Sequence, residues 1–190
     1  AFFQVFQPRG GGKRQAPTFD VVAPGIAKHE EEIVLAPGAD PKSDPCLALR
    51  AAVAAAEFGL PIAPGTLQNL KSCPIDDRTW NDESRSLFLR LLASGPALLQ
   101  VWEEIDFVDI PGRLIPEWLA IRNRPSASAA HRYTIDRHSV EVVTRLGRET
   151  PRGNRYDDRH YQALLLAGIL HDVGKRPGVA DHAAEGARHA

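Results

Sequence analysis

The spacing of apolar residues predicts a mainly α-helical protein from residue 44 onward. The first helix begins at Asp44-Pro45, where an aspartate cap precedes a proline suited to the first turn, and Gly59-Leu60-Pro61 ends it. Trp80, Trp102 and Trp118 fall among helical apolar positions, so we expect their rings to serve packing. Further helices are predicted over residues 66–72, 82–92, 97–106, 114–121, 136–146 and 159–170, with a turn at Pro111-Gly112-Arg113 and a last helix opened by Asp181-His182.

The first 43 residues show no helical pattern and are interpreted as a linker or remnant with some β-prone sequence. Val21-Val22 and Ile33-Val34-Leu35, separated by Pro24-Gly25 and an acidic stretch, predict a small hairpin. Gly10-Gly11-Gly12-Lys13 lacks the spacing of a phosphate-binding loop and no helical pattern follows it, so it is interpreted as a flexible link.

Composition narrows the class of protein without naming a function. The chain has 190 residues, 43% hydrophobic and 25% charged, which is typical of a soluble globular protein. Its formal net charge of −1 argues against nucleic acid or an anionic membrane as a partner. Cys46 and Cys73 make no disulfide framework, and we expect buried thiols in a reducing cytoplasm. The absence of methionine, including at position 1, suggests a segment of a longer polypeptide.

Candidate chemistry is concentrated where the predicted helix 159–170 ends. An apolar run, which we expect to be buried, stops at His171-Asp172, and Lys175 follows. Imidazole and carboxylate are good ligands for a hard or borderline divalent cation, and a neighbouring lysine suits a phosphate. The simpler interpretation of His171 is a helix C-terminal histidine stabilised by the helix dipole. We favour a metal-dependent phosphohydrolase site.

Other residues strengthen this hypothesis. Gly174 permits a sharp turn beside Asp172, His138 lies in the first turn of the predicted helix 136–146, and His182 follows at the start of the last helix. His131 precedes the helix that carries His138; it is either a phosphate contact or a surface residue.

A resemblance to a known family rests on three short segments. His138 followed by His171-Asp172, at helix ends, resembles the HD superfamily of metal-dependent phosphohydrolases. More specifically, residues 131–138, residues 170–175 and Asp181-His182 with Gly186-Ala187 resemble the HD domain of the bifunctional uridylyltransferase/uridylyl-removing enzymes. Residues 114–125 are similar to the connector of high-GC Gram-positive members.

The resemblance implies a division of the chain into three parts. Residues 1–43 would follow a nucleotidyltransferase domain outside this sequence, residues 44–121 would form a helical connector, and residues 122–190 would form an HD-type helical bundle, C-terminally truncated. His138, His171 and Asp172 would be the first three of four metal ligands, the fourth being an aspartate on a later helix outside this sequence. His182 would lie near the metal centre, either as a ligand of a second ion or as a group that supports the ligands of the first.

The resemblance also implies the reaction. A divalent metal, Mg²⁺ or Mn²⁺, would promote hydrolysis of the phosphodiester between UMP and a tyrosine of the nitrogen-regulatory protein PII, with AMP as the alternative nucleotide. Asp172 and Lys175 would be catalytic, Lys175 and His131 would contact substrate, and the parent enzyme would also transfer the nucleotide from UTP or ATP. The alternatives are an HD hydrolase acting on a free nucleotide or (p)ppGpp, and an HD module that binds metal or nucleotide for regulation.

Overall fold

The computed structural model describes residues 18–76, 79–126, 133–149 and 159–189. An N-terminal sheet precedes a helical body, so the described part of the chain is mainly α, as predicted. The strands are β1 (Asp20–Ala23), β2 (Ile26–His29) and β3 (Glu32–Leu35). The helices are α1 (Leu47–Phe58), α2 (Pro64–Leu70), α3 (Asp82–Leu92), α4 (Pro96–Phe107), α5 (Ile110–Leu114), a 3₁₀ helix (Pro116–Ala120), α6 (Ile135–Glu149), α7 (Arg159–Leu170) and α8 (His182–His189).

The predicted hairpin is instead a three-stranded antiparallel sheet in the order β1-β2-β3. Strand β2, which the sequence did not predict, lies between the two expected segments and pairs with both. Ile26 and Ile33 are completely buried in the core cluster shared with α1. The Ile33 amide also donates to the Pro61 carbonyl at 2.8 Å. Residues 20–35 are therefore a folded part of the domain.

Helix α1 lies at the centre of this half of the molecule, in contact with the sheet, α3 and α4. Its alanines are buried and allow these neighbours to approach closely. Asp44 accepts a hydrogen bond from the Cys46 amide just before the helix, and Gly59 ends it in the left-handed conformation. Arg50 pairs with Asp44 at 2.5 Å and Glu83 at 2.6 Å, which lowers the pKa of the Glu83 carboxyl and joins α1 to α3.

Two predictions are confirmed: the tryptophan rings serve packing, and both thiols are buried. Trp80 stacks edge-on against Phe88, and Trp102 stacks edge-on against Trp118 with ring centroids 5.2 Å apart. Cys46 and Cys73 are free and buried, and burial raises the pKa of the Cys73 thiol to about 11. Both thiols therefore stay protonated at neutral pH.

Residues 110–120 are more helical than predicted. Pro111-Gly112-Arg113, expected as a turn, lies inside α5, because a proline is compatible with the first turn of a helix. The predicted helix over 114–121 is a 3₁₀ helix from Pro116 to Ala120. Arg113 donates hydrogen bonds to the carbonyls of Lys71 and Cys73, so α5 is tied to the end of α2.

Helix α7 has the predicted bounds but is not a buried helix. Tyr161, Leu165, Gly168 and Ile169 face the protein interior, whereas Leu164 is 48% and Leu166 is 36% exposed. Among the described residues, the helix packs mainly against α6 and α3. The apolar sequence of α7 therefore predicted more burial than the helix has.

One hydrophobic cluster extends from Ile26 to Val173 and so crosses all three predicted segments. The boundaries at 43/44 and 121/122 stay predictions. Among the described residues, no helix is both long enough and apolar enough to cross a bilayer.

Gly147→Ala should destabilise the fold by about 2 kcal/mol, because the new methyl overpacks a helix junction. A Cβ at Gly147 would lie 2.7 Å from the Gly95 nitrogen and 2.9 Å from its Cα, in the turn that joins α3 to α4. Backbone atoms at such distances cannot move aside as a flexible side chain does. Thermal and urea unfolding, with Gly65→Ala as the matched control, measure the effect. A Cβ at Gly65 meets nothing within 4 Å, so equal stability losses in both variants would contradict the prediction.

Candidate metal centre

Three of the predicted ligands converge where α6 and α7 pack together. One ligand atom from each of His138, His171 and Asp172 lies within 4.8 Å of the other two. Two donor atoms on opposite sides of one ion, each at about 2.1 Å, are about 4.2 Å apart. The 4.8 Å limit on the separations of the three donor atoms is close to this span. Within the described part of the chain, no other group of three such side chains meets this criterion.

Helix packing brings the two histidines together. Gly168 on α7 faces α6, and a Cβ there would lie 3.0 Å from side-chain atoms of both Val143 and Leu146. The missing side chain therefore permits close approach of the helices. His138 in the first turns of α6 then meets His171 just after α7, with ring centroids 5.4 Å apart in an edge-to-face arrangement.

The backbone fixes the orientation of His171. Its Nδ1 lies 2.8 Å from the Gly168 carbonyl oxygen. A carbonyl oxygen can only accept a hydrogen bond, so Nδ1 of a neutral ring carries the proton. The lone pair is then on Nε2, which lies 3.4 Å from Oδ2 of Asp172. This is the tautomer that a metal-binding histidine needs, held by the type of partner that usually orients such ligands.

Asp172 and Lys175 form a pair at the same place. The Lys175 ammonium donates to Oδ2 of Asp172 at 2.7 Å. The Asp172 side chain is 6% exposed, and its neighbour Val173 is completely buried and anchors the turn in the core. Lys175 remains 27% exposed, so its charge lies at the edge of the cluster.

His182 is not part of the observed cluster. His182 begins α8 and is exposed, and its side chain does not belong to the group of close ligand atoms found among the described residues. Its backbone carbonyl instead packs against Gly174 in the turn after Asp172. His131 lies outside the described residues. Both assignments stay predictions.

Gly168 is the site residue that sequence reasoning overlooked. It supplies both the close helix approach and the carbonyl that orients His171. A glycine inside an otherwise apolar helix is itself a signal of close packing, because it costs helix stability.

An apolar groove of about 460 Å³ begins beside His171. Leu166 and Leu170 of α7 form one wall, and Ala183 and Ala187 of α8 form the other. The cluster is therefore open toward α8 and closed toward the core, where Asp172 is buried.

Comparison with known proteins identifies relatives over most of the chain. The chain is 39% identical over 180 residues to the bifunctional uridylyltransferase/uridylyl-removing enzyme of Streptomyces coelicolor. The aligned segment covers 94% of this chain and 21% of the relative. It is 40% identical over 164 residues to the enzyme of that name from Mycobacterium tuberculosis, covering 86% of this chain and 20% of the relative. The Corynebacterium glutamicum enzyme is 35% identical over 133 residues, 70% of this chain and 18% of the relative.

The chain spans about one fifth of the length of the curated relatives it matches. No family model and no solved structure matches it. The similarity nevertheless extends over the sheet, the helical body and the histidine cluster alike. Over 70–94% of its length, the chain is homologous to enzymes that are named bifunctional uridylyltransferase/uridylyl-removing enzyme.

Proposed function

We propose that this chain carries the metal centre of an HD-type phosphodiesterase that removes a nucleotide from a modified protein. The observation that supports this most directly is the convergence of His138, His171 and Asp172 within 4.8 Å. The relatives are named for a uridylyl-removing activity, which is hydrolysis of a phosphodiester. Helices α6 to α8 would then belong to the HD domain. We expect the protein to work in the cytoplasm.

The donor set fits a divalent cation. Two imidazoles and one carboxylate make a mixed nitrogen and oxygen site, and nitrogen ligands suit Mn²⁺ better than Mg²⁺, which prefers oxygen and water. Of the two metals that we expected, Mn²⁺ is therefore the better match. When bound, such an ion would polarise a phosphoryl oxygen and make water more acidic.

The residues around the cluster have separable roles in this proposal. His171 presents Nε2 because Gly168 holds its Nδ1 proton. Asp172 contributes negative charge and also holds Lys175 at 2.7 Å. An ammonium has three N–H donors, so Lys175 can keep this bond and still bind a non-bridging phosphate oxygen. Lys175 would thereby stabilise the negative charge on the non-bridging phosphoryl oxygens as the tyrosyl oxygen leaves.

The substrate would be the regulatory protein PII carrying UMP or AMP on a tyrosine. The relatives' names specify uridylyl groups, which favours UMP. Residues 159–170 and α8 offer an apolar groove beside His171 that can lie along a protein or nucleoside surface. Transfer of the nucleotide from UTP or ATP would belong to the longer polypeptide.

Release of mononucleotide from modified PII tests this function. We expect the intact gene product with Mn²⁺ to release UMP, or AMP from the adenylylated form, and to leave free nucleotides and (p)ppGpp intact. Lys175→Ala should lower the rate by about 10²-fold or more while Mn²⁺ still binds, because it removes a phosphate contact without removing a ligand. Chromatography of released nucleotides and calorimetric titration with Mn²⁺ give the two readouts.

Each alternative gives a different result. Hydrolysis of (p)ppGpp or a free nucleotide, without release from PII, would assign the chain to another class of HD hydrolase. Mn²⁺ binding by a chain that hydrolyses none of these substrates would instead indicate a regulatory binding module. His29→Ala, which changes a histidine of strand β2, is the control for nonspecific effects on rate.

A further inference from the structure

Leu166 and Leu170 of α7 form an apolar ridge between two grooves. The groove of about 460 Å³ that begins beside His171 has α8 as its other wall, and we call it the α7–α8 groove. A second groove, of about 450 Å³, lies between the same two leucines and the side chains of Trp80 and Phe88. Leu166 remains 36% exposed. The apolar surface therefore continues from the histidine cluster across α7 to the tryptophan that precedes α3.

The α7–α8 groove offers few hydrogen-bonding groups. Among the described residues, its lining consists of leucines, alanines and one glycine, with His171 as the only polar side chain. A nucleoside has ribose hydroxyls and base atoms that would leave water without finding partners there, which costs free energy. Apolar side chains gain free energy on entering such a groove. The groove therefore suits the apolar side chains of a polypeptide better than it suits a nucleoside.

His171 connects the groove to the proposed reaction. It belongs both to the cluster with His138 and Asp172 and to the lining of the α7–α8 groove. Lys175, the proposed phosphate contact, does not line the groove. A phosphodiester bound at the cluster has two substituents, a nucleoside on one side and a tyrosine of the protein substrate on the other. The substituent that continues past His171 enters the groove, and the apolar lining favours the tyrosine and its neighbours.

We propose that the α7–α8 groove is the docking site for the protein substrate, and that it binds apolar side chains next to the modified tyrosine. This inference rests on the proposed function. Ala183 and Ala187 on α8 leave room for these side chains, and Leu166 on α7 packs against them. The nucleotide lies outside the groove, with its phosphate at Lys175. Discrimination between a modified protein and a free nucleotide then comes from the groove.

A pair of leucine variants tests the docking site in the intact gene product. Leu166 lines the groove, whereas Leu164, 48% exposed on the same helix, does not. We expect Leu166→Gln to raise KM for modified PII about tenfold, because the exposed third of this leucine would no longer be buried against apolar side chains. Leu164→Gln should change this KM less than about twofold.

The p-nitrophenyl ester of the same nucleotide separates protein contacts from nucleotide contacts. It has the phosphodiester linkage and an aryl leaving group but no polypeptide. As a competitor of modified PII, it reports the nucleotide and phosphate contacts through its inhibition constant. We expect this constant to be unchanged in Leu166→Gln, which would also show that the site around Lys175 is intact in the variant.

A second pair of variants fills the groove from its other wall. Ala187 is exposed and lines the groove, whereas Ala184 is exposed on the same helix and does not line it. Glutamine is a good helix former, so neither substitution should disturb α8. Ala187→Gln should raise KM for modified PII about as much as Leu166→Gln does, and Ala184→Gln should leave it unchanged. Circular dichroism checks the helix content of each variant.

Three results would overturn the proposal. If KM for modified PII and the inhibition constant of the ester rose together in Leu166→Gln, the groove would hold the nucleoside. If both constants stayed unchanged in Leu166→Gln and Ala187→Gln, the groove would not contact substrate, as when another part of the longer polypeptide covers it. In both cases nucleotide release from modified PII persists, so the proposed function stands. If the unsubstituted gene product released no nucleotide from modified PII, the proposed function and the docking site would both be wrong.

Discussion

Asp172→Asn should reduce Mn²⁺ affinity at least about 100-fold. Removing a group that only orients a metal ligand costs up to about 100-fold in affinity, and Asp172 is proposed as a ligand itself. Asparagine keeps the shape of the side chain but removes the negative charge from the only carboxylate of the observed cluster. The effect on hydrolysis should be larger still, because the same carboxylate also holds Lys175. Calorimetric titration and the electron paramagnetic resonance of Mn²⁺ measure the loss.

Asp172→Asn should leave the fold intact, so a loss of Mn²⁺ binding can be assigned to the lost carboxylate and not to unfolding. The asparagine oxygen can still accept from Lys175, and Val173 continues to anchor the turn in the core. His171→Ala should give a comparable loss of Mn²⁺ binding, while His29→Ala should give none. If folded Asp172→Asn bound Mn²⁺ as tightly as the unsubstituted chain, the cluster would not be the metal centre.

Helix prediction succeeded where local signals were strong. Helices α3 and α7 have the predicted bounds. The start of α3 is fixed by Asn81, whose side chain accepts from the Ser84 amide. Gly59 ends α1 in the left-handed conformation, as a glycine after an apolar run predicts. These determinants lie within a few residues of the helix end, so the sequence alone contains them.

Features that depend on distant contacts were missed. Strand β2 is only four residues long, and its burial comes from α1, which follows it in sequence. The exposure of Leu164 and Leu166 could not be inferred from an apolar run, because periodicity does not tell how many sides of a helix are covered. Helix α5 was not predicted, because the Pro111-Gly112 pair within it also suits a turn.

The convergence of His138, His171 and Asp172 was predictable in its residues but not in its geometry. Residue type identified His138, His171 and Asp172, and their convergence needed only the correct pairing of two helices. The sequence did not reveal that Gly168 holds the Nδ1 proton of His171, or that Lys175 is bonded to Asp172. The indole N–H groups of Trp102 and Trp118, unpaired among the described residues, were equally invisible, because residue spacing predicts where a ring packs and not whether its N–H finds a partner.

Gly174→Ala should detach α8 from the turn that follows Asp172. It should lower the free energy of unfolding by about 3 kcal/mol, the upper end of the usual penalty for overpacking. A Cβ at Gly174 would fall inside van der Waals contact with the His182 carbonyl oxygen and the Gly186 amide nitrogen, and 2.9 Å from the Gly186 Cα. All three are backbone atoms of one helix, so no single side chain can move aside. The whole helix must shift, and Lys175, next to the substituted residue, would move with the turn.

Gly186→Ala is the matched control, because it adds a methyl on the opposite side of the same contact. Its Cβ would lie 3.5 Å from the Gly174 nitrogen, an ordinary contact distance, and alanine favours a helix interior by up to about 1 kcal/mol over glycine. We therefore expect Gly186→Ala to match or exceed the stability of the unsubstituted chain. Hydrogen exchange should show faster exchange of α8 amides in Gly174→Ala alone. Equal protection of α8 in both variants would mean that α8 does not depend on the close approach at Gly174.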